Sequence, residues 1–253
     1  MCIVVNLWGG PGCGKSTTMA HLFSELKIQG YNVEMVSEFA KDLVYENRMD
    51  TMKDELYIFA KQNHRLFRVE DKVDIIITDR PLPLTCVYDE VYGKNDKSLH
   101  ELVRNTFNEY KNINILLEFN KDNYKTEGRL QDRDEALKLH NKIGQELIKT
   151  GKDYLVVGNN NIEEMIHYIK ERLIYIRNTI KVKDLVDAIK QDKDKQQKIC
   201  LEKADELMNM PIVIELIDEQ GTIYRGTILQ VVGHDEPYYL LTGTLDETID
   251  YWK

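Results

Sequence analysis

The chain lacks any apolar run long enough to cross a bilayer, so no transmembrane helix is expected. It also lacks a cysteine framework. Cys2, Cys13, Cys86 and Cys200 are scattered, with no Cys-x-x-Cys pair and no histidine at metal spacing, so neither a zinc site nor a disulfide scaffold is expected. Reduced thiols in a cytoplasm are the simpler reading. Positive charge is short: 34 Lys and Arg stand against 43 Asp and Glu, a net charge of −9. That balance argues against broad, non-specific binding to nucleic acid or to an anionic membrane. The first residues, Met1-Cys2-Ile3-Val4-Val5, lack the basic start and cleavage site of a signal peptide and read as a first strand. No internal repeat or low-complexity segment is present. His64, His100, His140, His167 and His234 are isolated from one another and read as packed or exposed imidazoles.

What is there fits a globular protein. The 253 residues, 42% hydrophobic and 30% charged, can bury a sizeable core as one large α/β domain or as a domain with an appendage. Two regimes follow each other. Up to about Arg177, short apolar runs at Ile3–Leu7, Asn32–Val36, Val73–Thr78, Ile113–Glu118 and Tyr154–Val157 alternate with helical patterns such as Ser16–Lys27 and Asp54–Glu70. After the fifth run, Ile162, Met165, Ile166, Ile169, Leu173 and Ile176 share one helical face. Strands separated by helices pair in parallel through right-handed crossovers. The expectation is a doubly wound α/β domain over residues 1–177, five-stranded and parallel.

The remainder differs. Residues 178–210 read as a helical linker. Residues 211–253 read as a small β-rich unit with runs at Ile212–Ile217, Ile223–Val232 and Tyr238–Thr242, the two parts together forming an α+β appendage. The last 43 residues carry eight acidic side chains against two basic ones, which places most of the net negative charge there. Tyr238, Tyr239, Tyr251 and Trp252 form a small core or an interface, and the unit is expected to support homo-oligomerisation or acceptor selection.

The strongest motif is Gly9-Gly10-Pro11-Gly12-Cys13-Gly14-Lys15-Ser16-Thr17, which satisfies G-x4-G-K-[S/T] between a predicted strand and a predicted helix. Glycines let the backbone wrap around phosphate, and the N–H groups at the helix start donate to its oxygens. Gly10, Pro11, Gly12, Cys13, Gly14, Lys15, Ser16 and Thr17 are therefore the expected nucleotide cradle. Lys15 supplies charge to the β- and γ-phosphates, and Ser16 a hydroxyl to Mg²⁺. The loop alone does not select a reaction, since switch GTPases, motor ATPases and small-molecule kinases share it.

Three further segments narrow the choice. The third run ends Thr78-Asp79-Arg80-Pro81; an acidic group at the carboxyl end of a buried strand beside the cradle can hold Mg²⁺. Asp79 is thus the second metal group, and Arg80 faces the same crevice, where a guanidinium grips phosphate or sugar oxygens. The second run ends Ser37-Glu38-Phe39-Ala40-Lys41, which sets Glu38 where it can orient an attacking hydroxyl and take its proton. Glu127-Gly128-Arg129-Leu130-Gln131-Asp132-Arg133 reads as a lid whose Arg129 and Arg133 close over the triphosphate, or as a salt-bridged helix start.

On these segments, in this order, residues 1 to about 176 resemble the P-loop nucleoside and nucleotide kinases. The closest resemblance is to the AAA-type, nicotinamide-riboside-kinase-like group of NAD-biosynthesis regulators. The Asp79-Arg80 pair is similar to the Asp-Arg of thymidylate kinases, whose arginine engages an acceptor phosphate. The resemblance implies sheet order 2-3-1-4-5, with Lys15, Ser16 and Asp79 on the donor side, Glu38 on the acceptor side, and Arg129 and Arg133 in the lid. Lys41 stands where relatives often carry arginine and Pro81 where thymidylate kinases carry an aromatic, so the acceptor stays open.

The expected function is transfer of the ATP γ-phosphate, with Mg²⁺, to a nucleoside, nucleotide or related small acceptor. Lys15, Glu38, Asp79, Arg129 and Arg133 are the catalytic candidates, Glu38 and Arg80 the substrate-binding ones, Ser16 and Asp79 the metal ligands. A kinase acting on a DNA hydroxyl is an alternative that the acidic balance disfavours, and an ATP-binding scaffold without catalysis is another. A switch GTPase is disfavoured: Asn120-Lys121-Asp122-Asn123 ends in asparagine where N-K-x-D needs aspartate, and no D-x-x-G follows Asp79.

Overall fold

The structure, a computed structural model, describes residues 2–120, 132–174 and 176, and four strands within residues 212–249. The chain divides into two compact units, Met1–Lys170 and Glu171–Lys253.

In the first unit five strands form one parallel sheet. They are β1 (Ile3–Trp8), β2 (Val33–Val36), β3 (Ile75–Thr78), β4 (Asn112–Leu117) and β5 (Tyr154–Val157), in the order β2-β3-β1-β4-β5. β1 sits at the centre, with Val5 opposite Ile77 on one side and Ile113 on the other. Its six residues, Ile-Val-Val-Asn-Leu-Trp, are all buried, as expected for a strand covered on both faces. The two polar members are satisfied laterally: Asn6 Nδ2 donates to Asn112 Oδ1 at 2.9 Å and Trp8 Nε1 to Asn114 Oδ1 at 3.0 Å.

The helices between the strands are α1 (Lys15–Ile28), α2 (Ala40–Tyr45), α3 (Glu55–Glu70), α4 (Leu84–Tyr92), α5 (Lys97–Glu109) and α6 (Arg133–Lys149), followed by α7 over 162–174. Aspartates start three of them. Asp54 accepts from Tyr57 N–H, Asp96 from Ser98 N–H, and Asp132 forms a reciprocal capping box with Glu135. The sheet order and parallel pairing are those expected from the sequence and its resemblance. Boundaries move by one or two residues, and Ile162, Met165, Ile166 and Ile169 are buried on α7 as their spacing requires. Helices α2, α4 and α5 are not among the helical patterns singled out in the sequence, although Leu99, Val103 and Phe107 recur at helical spacing and are buried on α5.

The core lies between the sheet and its helices. Trp8, Phe107, Val103, Leu139, Ile143 and Leu147 form part of its larger cluster, with Trp8 and Phe107 edge to face at 6.0 Å between ring centres. In the second unit β6 (Ile212–Ile217), β7 (Ile223–Gly233), β8 (Pro237–Gly243) and β9 (Thr248–Ile249) form an antiparallel sheet in chain order, with a register shift in β7 between Ile228 and Val231. β6, β7 and β8 coincide with the three apolar runs read from the sequence, and β9 has no counterpart among them. Residues 178–210, expected to be a helical linker, lie outside the described residues.

Leu22 is fully buried on α1, which packs on the central strands. Leu22→Ala should lower the unfolding free energy by about 2–5 kcal/mol. Urea denaturation monitored by circular dichroism measures it.

Candidate active site

The carboxyl ends of β1, β2 and β3 converge, and the chain after each supplies one part of the site. After β1 comes the glycine loop. Gly9, Gly12 and Gly14 all adopt positive φ, and Gly14 caps α1 from the left-handed region at φ 81°. Two positions require glycine for space as well. A Cβ on Gly14 would lie 2.4 Å from Asn159 Nδ2, and one on Gly10 would lie 2.8 Å from His140 Cβ and 2.9 Å from the Ala136 carbonyl oxygen. Gly12, Ser16 and Thr17 are exposed, so the mouth of the loop opens to solvent. The first N–H groups of a helix have no intrahelical acceptor and can donate to an anion.

Lys15 Nζ donates to the carbonyls of Gly9 and Gly10 at 2.8 and 2.9 Å, folding back over the loop. Burial lowers its pKa, opposed by the nearby Glu38, Cys13 and Asp79. Beside it, Asp79 follows β3 and is 1% exposed. Ser16 Oγ donates to Asp79 Oδ2 at 2.7 Å, and the Glu38 N–H donates to Asp79 Oδ1 at 2.9 Å. Lys41 Nζ donates to Ser16 Oγ and, at 3.2 Å, to Asp79 Oδ2. Two segments far apart in sequence, the start of α1 and residues 38–41, are thus tied to one carboxylate.

Arg80, the next residue, is 2% exposed. Its Nη1 meets Glu38 Oε1 at 2.7 Å and its Nη2 meets Glu55 Oε2 at 3.1 Å, while the Tyr88 ring lies 4.8 Å from its Cζ. The guanidinium is held between two carboxylates and an aromatic face. Burial pushes the Glu55 carboxyl up to about 7, against the pull of Arg80. The turn carrying Glu38 is pinned from α3: Phe39 N–H donates to Gln62 Oε1 at 2.9 Å, and Arg65 Nη1 donates to the Ser37 carbonyl at 3.2 Å. Gln62, Asn63 and Arg65 hold scaffold contacts, Asn63 accepting from Tyr110.

On the other side of the loop stands α6. Gly10 N–H donates to His140 Nδ1 at 3.2 Å, and Cys13 Sγ lies 3.4 Å from the same nitrogen. Burial, then the charge of Lys15, lowers the His140 pKa, which keeps the imidazole neutral and able to accept. Arg133 is at the first turn of this helix, 60% exposed, with Asp134 at 3.9 Å. Arg129 lies outside the described residues.

Ser16, Asp79, Glu38, Lys15 and Arg80 are therefore gathered as the sequence indicated. His140, Glu55 and Asn159 were missed. Glu55 gives no local signal, because its partner is 25 residues on and meets it only across the sheet end. His140 gives none either, because only the structure brings its face of α6 against Gly10.

One hydroxyl and one carboxylate in contact form a hard-oxygen pair of the kind that suits Mg²⁺ shared with phosphates. Among the described residues no cluster of three or more His, Cys, Asp or Glu offers a self-sufficient metal site. No helix among them is long and apolar enough to cross a membrane.

A family model for the AAA domain matches residues 4–165. The structure is similar to that of the NadR protein in complex with NR, with a TM-score of 0.55 and 17% identity over 68% of this chain and 52% of that one. It is also similar to the NadR protein in complex with NAD and AMP-PNP, with a TM-score of 0.51 and 18% identity over 68% and 49%. The chain thus spans about half the length of these proteins, and at such identity the likeness is one of fold. No curated protein matches the sequence.

The Glu55 shift has a sign that can be tested. With its pKa raised from 4.5 to about 7, the folded chain holds a proton that the unfolded chain has lost between those values. Stability owed to this group therefore falls as pH rises through that window, by up to about 1.4 kcal/mol per unit. Urea titrations from pH 4.5 to 7 should show this slope in the wild type, and Glu55→Gln should flatten it.

Proposed function

The chain belongs to the AAA-domain family across residues 4–165 and has the P-loop kinase fold, and on that premise we propose that it transfers the γ-phosphate of ATP to a small acceptor of nucleoside or nucleotide type. The observation that carries this reading is the contact of Ser16 with Asp79 at 2.7 Å, at the mouth of the glycine loop and beside Lys15 and Glu38. A carboxylate beside the cradle can orient an acceptor hydroxyl and take its proton, which is what transfer to such an acceptor requires.

Backbone N–H groups of residues 12–16 and the Lys15 ammonium hold the donor phosphates. Ser16 and Asp79 would hold Mg²⁺, which supplies charge neutralisation on the β- and γ-oxygens. Glu38 orients the acceptor hydroxyl in line with the γ-phosphorus and accepts its proton. Arg80 fixes the Glu38 carboxylate through its 2.7 Å contact. Arg129, before α6, and Arg133, in its first turn, are the lid arginines that neutralise charge developing in the transition state.

The engagement of Arg80 favours a hydroxyl acceptor over a phosphate. A monophosphate would have to take the guanidinium from Glu38 and Glu55, leaving two half-buried or buried carboxylates without their cation. The likeness to a protein crystallised with NR and with AMP-PNP is compatible with this choice. Whether residues 211–253 support oligomerisation or acceptor selection is tested by deleting them.

Labelled ATP incubated with nucleosides, nucleoside monophosphates and DNA should label the nucleosides. Label on monophosphates or DNA instead would overturn the acceptor assignment, and the absence of both transfer and calorimetric ATP binding would overturn the kinase reading. Lys15→Ala and Arg129→Ala should each lower turnover by a factor corresponding to about 2.7–4 kcal/mol, Arg129→Ala with ATP affinity little changed.

A further inference from the structure

The proposed transfer leaves one cation of the site without a part. Lys41 rises from the first turn of α2, and its ammonium donates to both Ser16 Oγ and Asp79 Oδ2. Those are the two oxygens assigned to the metal, and they also bond each other at 2.7 Å. Magnesium takes its oxygen ligands at about 2.0–2.1 Å. An ammonium within hydrogen-bond distance of the same two oxygens and a divalent ion bound to them compete, because the two cations repel at that range and draw on the same donor atoms.

The pair is also asymmetric. The Asp79 side chain is 1% exposed and the Lys41 side chain 41%. The carboxylate is fixed by the Glu38 N–H and cannot follow a departing partner. The lysine, a compact charge on a flexible four-carbon stem, can swing into water at small cost. A buried carboxylate without any cation would bear a large desolvation penalty.

We propose that Lys41 is a resident counter-cation that competes with magnesium for the Ser16–Asp79 pair and yields it when the metal–nucleotide complex enters. The inference rests on the transfer reading above, since that reading brings the metal. Until then the Lys41 ammonium keeps Asp79 charge-paired, and it lowers the metal's apparent affinity by occupying its place. Once released it remains on the acceptor side, next to Glu38.

The test uses the full chain, with AMP-PNP as nucleotide and Mn²⁺ as the metal read by electron paramagnetic resonance. Lys41→Met should bind Mn²⁺ about fivefold tighter than the wild type in the presence of AMP-PNP, the scale of one half-exposed ion pair. In EDTA the same variant should melt about 2–4 °C lower, and Mn²⁺ with AMP-PNP should abolish the difference. In an Asp79→Asn background the EDTA difference should vanish. Lys41→Gln serves if Lys41→Met fails to fold. Equal Mn²⁺ affinity with intact AMP-PNP binding would overturn the Lys41 assignment alone, as would a structure of the Mg²⁺–AMP-PNP complex with Lys41 still bonded to Ser16 Oγ. Absence of any metal-dependent AMP-PNP binding in the wild type would overturn this inference and the transfer reading together.

Discussion

The Asp79 carboxylate is the constraint on which the site depends. It takes a hydroxyl from α1, a backbone N–H from the turn after β2 and an ammonium from α2, and is itself held at the end of a strand whose four residues are all buried. A buried carboxylate is tolerated only when its acceptor capacity is used. Here its use does structural work, since the donors come from two separate segments, α1 and residues 38–41. The glycine loop, the acceptor-side turn and the strand end have one relative geometry in which all three bonds form.

Arg80 extends the same logic outward. Its guanidinium is more buried than either of its carboxylate partners, and both of its nitrogens are spoken for. Such a pair adds little net stability, because desolvation consumes the Coulombic gain; it adds direction. Glu38 is held by its backbone to Asp79 and by its side chain to Arg80, so both ends of the residue that faces the acceptor are fixed. An arginine at this position looks like a hand for phosphate in the sequence. In the structure its two terminal nitrogens meet carboxylates, those of Glu38 and Glu55.

The glycine loop has a second support. Close approach of α6 leaves no room for a side chain at Gly10, and His140 accepts from that residue's N–H. The same helix begins at Arg133, just after the segment read as a lid. Loop and lid segment are therefore joined by a single rigid element of 17 residues. Asn159, after β5, closes against Gly14 from the other side. Packing of this kind explains why the glycines are where they are more fully than phosphate wrapping does alone.

Much of this was legible in the sequence, and for a physical reason. Buried parallel strands are continuous apolar runs, glycine loops that bind phosphate have fixed spacing, and residues that end such strands fall at one edge of the sheet whatever the helices do. The five strands, Lys15 and Ser16 of the cradle, and Asp79 and Glu38 at the strand ends follow from these local rules, while the strand order came from the family resemblance. What the tertiary structure decided are the pairings: Arg80 with Glu55, His140 with Gly10, Lys41 with Ser16 and Asp79. Each joins residues from separate elements, and no periodicity marks such a partner, because which side chains meet is set by how far the helices slide over the sheet before their cores are filled.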